Sequence, residues 1–191
     1  MFKLRYHAQA ILTTGLFIGR FQPFHLGHLA TVRFALNHVR YLVIVVGSAQ
    51  KSHEARNPFT AGERIQMIKL SLDSDAKIES NRVLIIPVPD ADIHRLWTHQ
   101  VDMLVPKYDV VFTNDPFSSL LFHERGIKVV QAPLVRRKEL AATEIRKKMI
   151  LGEDWNKLVP KQVAAVIKEI NGLERLREIE RKELPARKGN H

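Results

Sequence analysis

The 191 residues are 45% hydrophobic, enough for a sizeable core, so the length argues one domain with at most a small appendage. The chain has no cysteine, which excludes disulfides, thiolate metal sites and a cysteine nucleophile, and no apolar run reaches the ~18–20 residues of a membrane helix. A net charge of +10, from 30 basic against 20 acidic side chains, fits an anionic ligand, either a triphosphate or a nucleic acid.

Met1 to Thr14 is basic, with a brief apolar patch and no signal-peptide pattern. It is expected as an N-terminal extension of a cytoplasmic protein. The apolar run Leu16 to Ile18 is a short strand, and Leu29 to Val39 is an amphipathic helix beginning near Gly27. Tyr41 to Val46 is a β-branched run suited to a strand buried on both faces. A polar loop follows from Gly47, and Thr60 with Glu63 forms a capping box for a helix with Ile65, Ile68 and Leu72 at helical spacing. Val83 to Val88 is expected as a third buried strand, with Pro87 marking its end. The turn Pro89 to Asp92 is expected to cap a helix containing Ile93, Trp97, Val101 and Leu104. Tyr108 to Thr113 is a fourth strand, Ser118 to Glu124 a short helix closed by Gly126, and Ile127 to Val130 a fifth strand. This alternation predicts an α/β fold: an open parallel sheet of about five strands with helices on both faces. Past Pro133 only helices are expected. One is opened by the Thr143-Glu144 pair and ended by Gly152, one is opened by Pro160, and a charged one runs from Leu173 to about Glu183. Pro185 to His191 is expected as a frayed tail. The main domain is therefore 15–177, with a strand–helix core to about 132 and a helical segment from about 142; 178–191 is a charged tail.

The chemistry concentrates at Gly19-Arg-Phe-Gln-Pro-Phe-His25-Leu-Gly-His28, where the first strand turns into the first helix. A helix N-terminus offers free N–H groups and the positive end of a dipole, so it favours an anion. A single histidine on a helix is ordinarily solvated or hydrogen-bonded. The His-x-Gly-His spacing with its Gly-x-Phe-x-Pro lead-in is what makes this stretch specific. Thr143 and Arg146, three apart, share a face at another helix start and form a second phosphate site. Arg136 to Lys138 and Lys147-Lys148 add charge nearby.

Together these stretches resemble the nucleotidyltransferase superfamily of adenylyl- and cytidylyltransferases, whose fold is Rossmann-like. The runs Gly47 to His53, Asn57 to Arg64, Asp90 to Trp97 and Lys168 to Leu176 are similar to the archaeal type of nicotinamide-nucleotide (NMN) adenylyltransferase. The resemblance covers roughly 15–177. It implies transfer of AMP from ATP to NMN, giving NAD and pyrophosphate, with Mg²⁺ accompanying ATP and no dedicated metal ligands. It also implies ATP-binding roles for Gly19, Arg20, Phe21, His25, His28, Thr143 and Arg146. Of these, His25, His28 and Arg146 are the catalytic group, with the histidines stabilising charge as imidazolium. NMN would be held by Ser48, Arg56, Asp90 and Trp97, the indole stacking on the pyridinium ring. A homo-oligomer, often a hexamer, is implied too. Departures from the family pattern fall at Ala141, Asn114 and His94. The alternatives are another transferase of the superfamily, a non-catalytic relative, or a basic nucleic-acid binding module. The last lacks the expected surface aromatics interleaved with basic residues.

Overall fold

In the computed structural model, residues 13–133 and 139–188 are described. The expectations for residues 1–12, for the basic cluster at 136–138 and for 189–191 lie outside the described residues. Five strands alternate with helices: β1 (Thr14–Gly19), α1 (Leu26–Leu36), β2 (Tyr41–Val46), α2 (Ala61–Asp73), β3 (Val83–Pro87), α3 (His94–Leu104), β4 (Val110–Phe112), α4 (Pro116–His123) and β5 (Lys128–Val130). Three helices follow: α5 (Ala142–Leu151), α6 (Lys161–Glu169) and α7 (Gly172–Lys188).

All strand pairs are parallel and the order is β3-β2-β1-β4-β5. The strand order therefore reverses beside β1, and the carboxyl ends of β1 and β4 border the crevice where open α/β sheets bind ligands. Side chains alternate between the two faces of the sheet, as the period of a strand requires. Phe17, Leu42, Ile44, Val46, Val110 and Phe112 join α1, α2, α5, α6 and α7 in one core. Leu16, Val43, Val45 and Val111 join Val101 of α3 and Phe122 of α4 in the other. The sheet is thus covered on both faces, as the alternation predicts. Fully burying each large apolar side chain stabilises this arrangement by about 1.5–3 kcal/mol before chain entropy is counted.

Three expectations change. β3 is not buried on both faces: it is an edge strand, and Leu84 is 54% exposed, because only β2 pairs with it. The strand does end at Pro87, which pairs with Val46. The helix expected to stop near Glu183 continues as α7 to Lys188, since the helix formers either side of Pro185 sustain it despite the lost donor. Neither Asp90 nor Asp92 caps α3, whose N-cap is Ile93 without a side-chain bond, because Asp90 is drawn back to the loop after β2.

Candidate active site

The first site turn leaves β1 at Gly19 and doubles back before α1. Phe21 holds φ 52°, a left-handed conformation costly for an aromatic residue, and its ring is driven into the core at 1% exposure. It meets Phe17 edge-on at 5.3 Å and His28 at 4.8 Å. Any ligand contact from Phe21 therefore belongs to its backbone. Gln22, 2% exposed, reads Phe59 twice: its Nε2 donates to the Phe59 carbonyl at 2.8 Å, and the Phe59 N–H donates to its Oε1 at 3.0 Å. The Gln22 carbonyl in turn accepts from Arg146 Nη1 at 2.8 Å.

α1 starts with an unusual capping box made of two histidines. His25 is the N-cap; the His28 N–H donates to His25 Nδ1, and the His25 N–H donates to His28 Nδ1, both at 3.3 Å. The rings stack at 3.5 Å between centroids and 20° between planes. Gly27 makes room for this, since a Cβ there would stand 3.1 Å from the His25 ring. A nitrogen that accepts carries no proton, so these backbone donors assign each neutral ring its proton at Nε2, leaving an Nε2–H donor. Burial pushes His25 down to about 4. Burial, together with the His25 ring beside it, holds His28 well below the usual imidazole range. The expectation of imidazolium is thus corrected: a second proton would set Nδ1–H against the backbone N–H that it now accepts from. At neutral pH both rings are thereby left neutral, with the proton at Nε2.

α5 brings Arg146 to the same turn, 8% exposed. Burial and the nearby charges of Arg20 and Arg56 lower it to about 10, opposed by Glu180 of α7, so it stays charged at neutral pH. Thr143 is exposed and does not cap α5; the N-cap is Ala141, which offers no side-chain acceptor.

Beside this turn lies a cavity of about 750 Å³, lined by Gly19, Arg20, Ser48, Arg56, Asp90 and Trp97 among others. Phe21, His25, His28, Thr143 and Arg146 are not in its lining. The expected site residues thus form two groups, joined through Gly19–Gln22. Ser48, at φ 48°, donates from Oγ to Asp90 Oδ1 at 2.9 Å. Lys51 lies 3.2 Å from Asp90 Oδ2, and the Asp90 N–H donates to Gln50 Oε1 at 3.0 Å. Trp97 is half-buried, its edge 6.3 Å from Phe122 between ring centroids, so it is both a core side chain and a wall of the cavity. His94 stands against Phe117 at 5.2 Å on the same wall.

Two residues that sequence reasoning passed over hold these pieces in place. One is Gln22. The other is Arg64 of α2, fully buried at 0% exposure. Its guanidinium donates to the carbonyls of Arg20 (2.9 Å), Gly47 (2.8 Å), Ser48 (3.1 Å) and Thr60 (3.1 Å). Burial, and after it the charge of Arg20, brings Arg64 down to about 10. The signal was available, because Arg64 sits one turn before Ile68 and two before Leu72 on the face that packs inward.

A family model described as cytidylyltransferase-like matches residues 16–148. The nicotinamide-nucleotide adenylyltransferase of Pyrococcus furiosus is 48% identical over 163 residues, 85% of this chain and 87% of that one. That of Archaeoglobus fulgidus is 49% identical over 166 residues, 85% and 95% of the two chains. Among solved structures, a bifunctional NMN adenylyltransferase/ADP ribose pyrophosphatase from Francisella tularensis, solved with AMP and a manganese ion, matches at a TM-score of 0.75 and 25% identity. The match covers 92% of this chain and 56% of that one, so the chain spans little more than half of the bifunctional protein. The nicotinic acid mononucleotide adenylyltransferase of Plasmodium falciparum, at a TM-score of 0.58 and 12% identity, shares the fold. With a family match over most of its length and near-half identity to these archaeal enzymes, the chain belongs to the cytidylyltransferase-like family.

Proposed function

We propose that the protein is an adenylyltransferase of NAD biosynthesis, joining the AMP part of ATP to nicotinamide mononucleotide to give NAD and pyrophosphate. One observation carries this reading: identity of 46–49% with nicotinamide-nucleotide adenylyltransferases along most of both chains. The chemistry of the site agrees with it. A phosphate oxygen of the mononucleotide attacks the α-phosphorus of ATP, the bond from that phosphorus to the bridging oxygen breaks, and pyrophosphate leaves with the electron pair. The attacking oxygen is already ionised, so no base and no covalent intermediate is required. What the reaction needs is two polyanions held in line, which calls for fixed donors and positive charge.

In this reading the Nε2–H groups of His25 and His28 donate to the α-phosphate region. Arg146 and Thr143 receive the outer phosphates, and Gly19 with Arg20 lines the approach. Arg56 reaches the mononucleotide phosphate, Asp90 and Ser48 hold its ribose side, and Trp97 faces the pyridinium ring. A divalent cation, read as Mg²⁺, travels with ATP on phosphate oxygens and water. Among the described residues no group of three or more His, Asp or Glu is placed to hold a metal ion. Positive charge gathers where the phosphates would sit, with Arg20 and Arg56 close enough to Arg146 to lower its pKa. Among the described residues no helix is long and apolar enough to cross a membrane. The homo-oligomer and the cytoplasmic location belong to the same reading.

The test is incubation with ATP, Mg²⁺ and either nicotinamide or nicotinic acid mononucleotide, reading pyrophosphate and dinucleotide. Dinucleotide from neither mononucleotide, with ATP intact, refutes it. Pantetheine phosphate in a parallel reaction separates the nearest alternative.

A further inference from the structure

Arg56 reaches the cavity from a tight four-residue turn, 54–57. Ala55 and Arg56 are the two central residues between Glu54 and Asn57, which exchange backbone bonds: the Asn57 N–H donates to the Glu54 carbonyl at 2.9 Å, and the Glu54 N–H donates to that of Asn57 at 3.3 Å. Asn57 Nδ2 adds a bond to the Glu54 carboxylate at 3.0 Å. Of the two central N–H groups, that of Ala55 is held from outside the turn. It donates at 2.8 Å to Glu183 Oε1, which comes from α7, 128 residues later in the chain.

The same helix grips the other end of the loop. Arg175 pairs with both carboxylate oxygens of Glu63 at 2.8 Å, and its Nη1 lies 3.4 Å from the Pro58 carbonyl. At the start of α7, Gly172 sits so close to Phe59 that a Cβ there would stand 2.9 Å from the ring. Arg175, Gly172 and Glu183 thus fix the loop at Pro58, Phe59 and Ala55. Glu63 and Phe59 are themselves tied into α2 and to Gln22, so a general brace exists without Glu183. What Glu183 adds at this turn is a hold on the Glu54–Ala55 peptide, one residue before Arg56.

We infer that Glu183 is a positioning residue for adenylyl transfer, fixing through the Ala55 N–H the turn that presents Arg56 to the substrate phosphate. The inference rests on the reading of Arg56 as a phosphate contact. A loose turn would still carry the guanidinium, but spread it over more positions, so the loss falls on binding of the phosphate that Arg56 meets. The C-terminal helix is then part of the site's construction, although none of its described residues lines the cavity.

The experiment measures kcat, KM for each substrate, melting temperature and amide exchange in the 54–57 turn. The proteins are the full chain and its Arg56→Ala, Glu183→Ala, Glu183→Gln and Arg56→Ala/Glu183→Ala variants. Arg56→Ala should raise one substrate's KM at least about tenfold, as loss of a charge-assisted bond does. Glu183→Ala should raise the same KM about three- to tenfold, with kcat within about twofold and faster exchange at Ala55. Glu183→Gln, whose amide oxygen can accept the same N–H, should restore most of the KM. In the double variant, Glu183→Ala should add nothing to the effect of Arg56→Ala. A raised KM for Arg56→Ala with an unchanged KM for Glu183→Ala overturns the positioning role alone. Additive effects in the double variant, or a fall in kcat and melting temperature that glutamine does not restore, overturn it as well. An Arg56→Ala protein with normal kinetics instead sinks the reading of Arg56, and the inference with it.

Discussion

Replacing Arg64 by methionine should be among the most damaging single changes in this protein, although Arg64 does not line the cavity. The side chain is fully buried and makes four bonds, all to backbone carbonyls: those of Arg20, Gly47, Ser48 and Thr60. No carboxylate pairs with it among the described residues, so its charge is offset by oriented peptide dipoles. Methionine fills a similar length and supplies no donor. A carbonyl left buried and unpaired costs about 1–3 kcal/mol, while the relief from burying a cation returns part of the sum. The net expectation is a loss of about 3–5 kcal/mol, the range found when one partner of a buried charged network is removed. For a domain of this size each kcal/mol lowers the melting temperature by about 2–4 °C, so a drop of about 10 °C is expected by differential scanning calorimetry. Arg64→Lys should fall between, because one ammonium cannot reach four carbonyls spread across three segments. The activity of the folded fraction should fall too, since Arg20 and Ser48 lose their shared anchor. A methionine variant that melts within about 2 °C of the parent and keeps its kcat/KM would refute this account of the arginine.

Three further outcomes follow from the site. His28→Ala should stay folded, losing about one capping bond, yet drop in kcat by about 10²–10³-fold as one fixed donor to the phosphate disappears; a normal kcat removes His28 from the mechanism. The acid side of the stability profile should carry the histidines. The folded pKa of His25 is lowered to about 4, so the unfolded chain binds the extra proton between about 6.5 and 4. Stability is therefore fully present above about 6.5 and lost as the pH falls towards 4, by up to about 3 kcal/mol from His25 alone. His25→Asn keeps an N-cap acceptor without a titrating ring, so urea melts should show a flatter slope over that range; an unchanged slope contradicts the assignment. Trp97→Leu should raise KM for the mononucleotide about tenfold and leave KM for ATP alone. If both rise together with a fall in melting temperature, Trp97 is only the core residue that its contact with Phe122 makes it.

Much of this was legible in the chain because it is local. The run Tyr41 to Val46 is short, apolar and β-branched, and it forms a central strand; Thr60 and Glu63 make the expected reciprocal cap. Gly19 and Arg20, singled out for one ligand, and Ser48, Arg56, Asp90 and Trp97, singled out for the other, line one cavity. What stayed hidden depends on partners far along the chain or on unusual use of a side chain. Histidine is not a preferred N-cap, so nothing in the residue types predicts that His25 and His28 spend their Nδ1 atoms on each other's backbone. Burial is what lowers both rings below the ordinary imidazole range, and the occupied Nδ1 atoms fit the neutral form. Thr143 has the composition of a cap and lies two residues past the N-cap Ala141, too far into α5 to serve as one. β3 has the composition of a buried strand, and its place at the sheet edge is set by the order of pairing, which apolar content does not encode. Gln22 looks like turn filler; only the approach of Phe59 and Arg146 makes it structural.

The convergence on Gln22 also bears on how the protein comes into being. Its side chain waits for Phe59, 37 residues on, and its carbonyl waits for Arg146, 124 residues on. β1 completes its pairing only with β4, and an all-parallel sheet offers no hairpin to start from. Loop closure over such spans is slow, so the site belongs to the late stages of folding, after the last third of the chain has left the ribosome. Until then the chain has no assembled phosphate site with which to hold ATP. Once formed, substrates that bind only the finished fold draw the equilibrium towards it by mass action. The newborn chain therefore reaches its fold without help from its substrates, and only afterwards can the nucleotide pool help to keep it there.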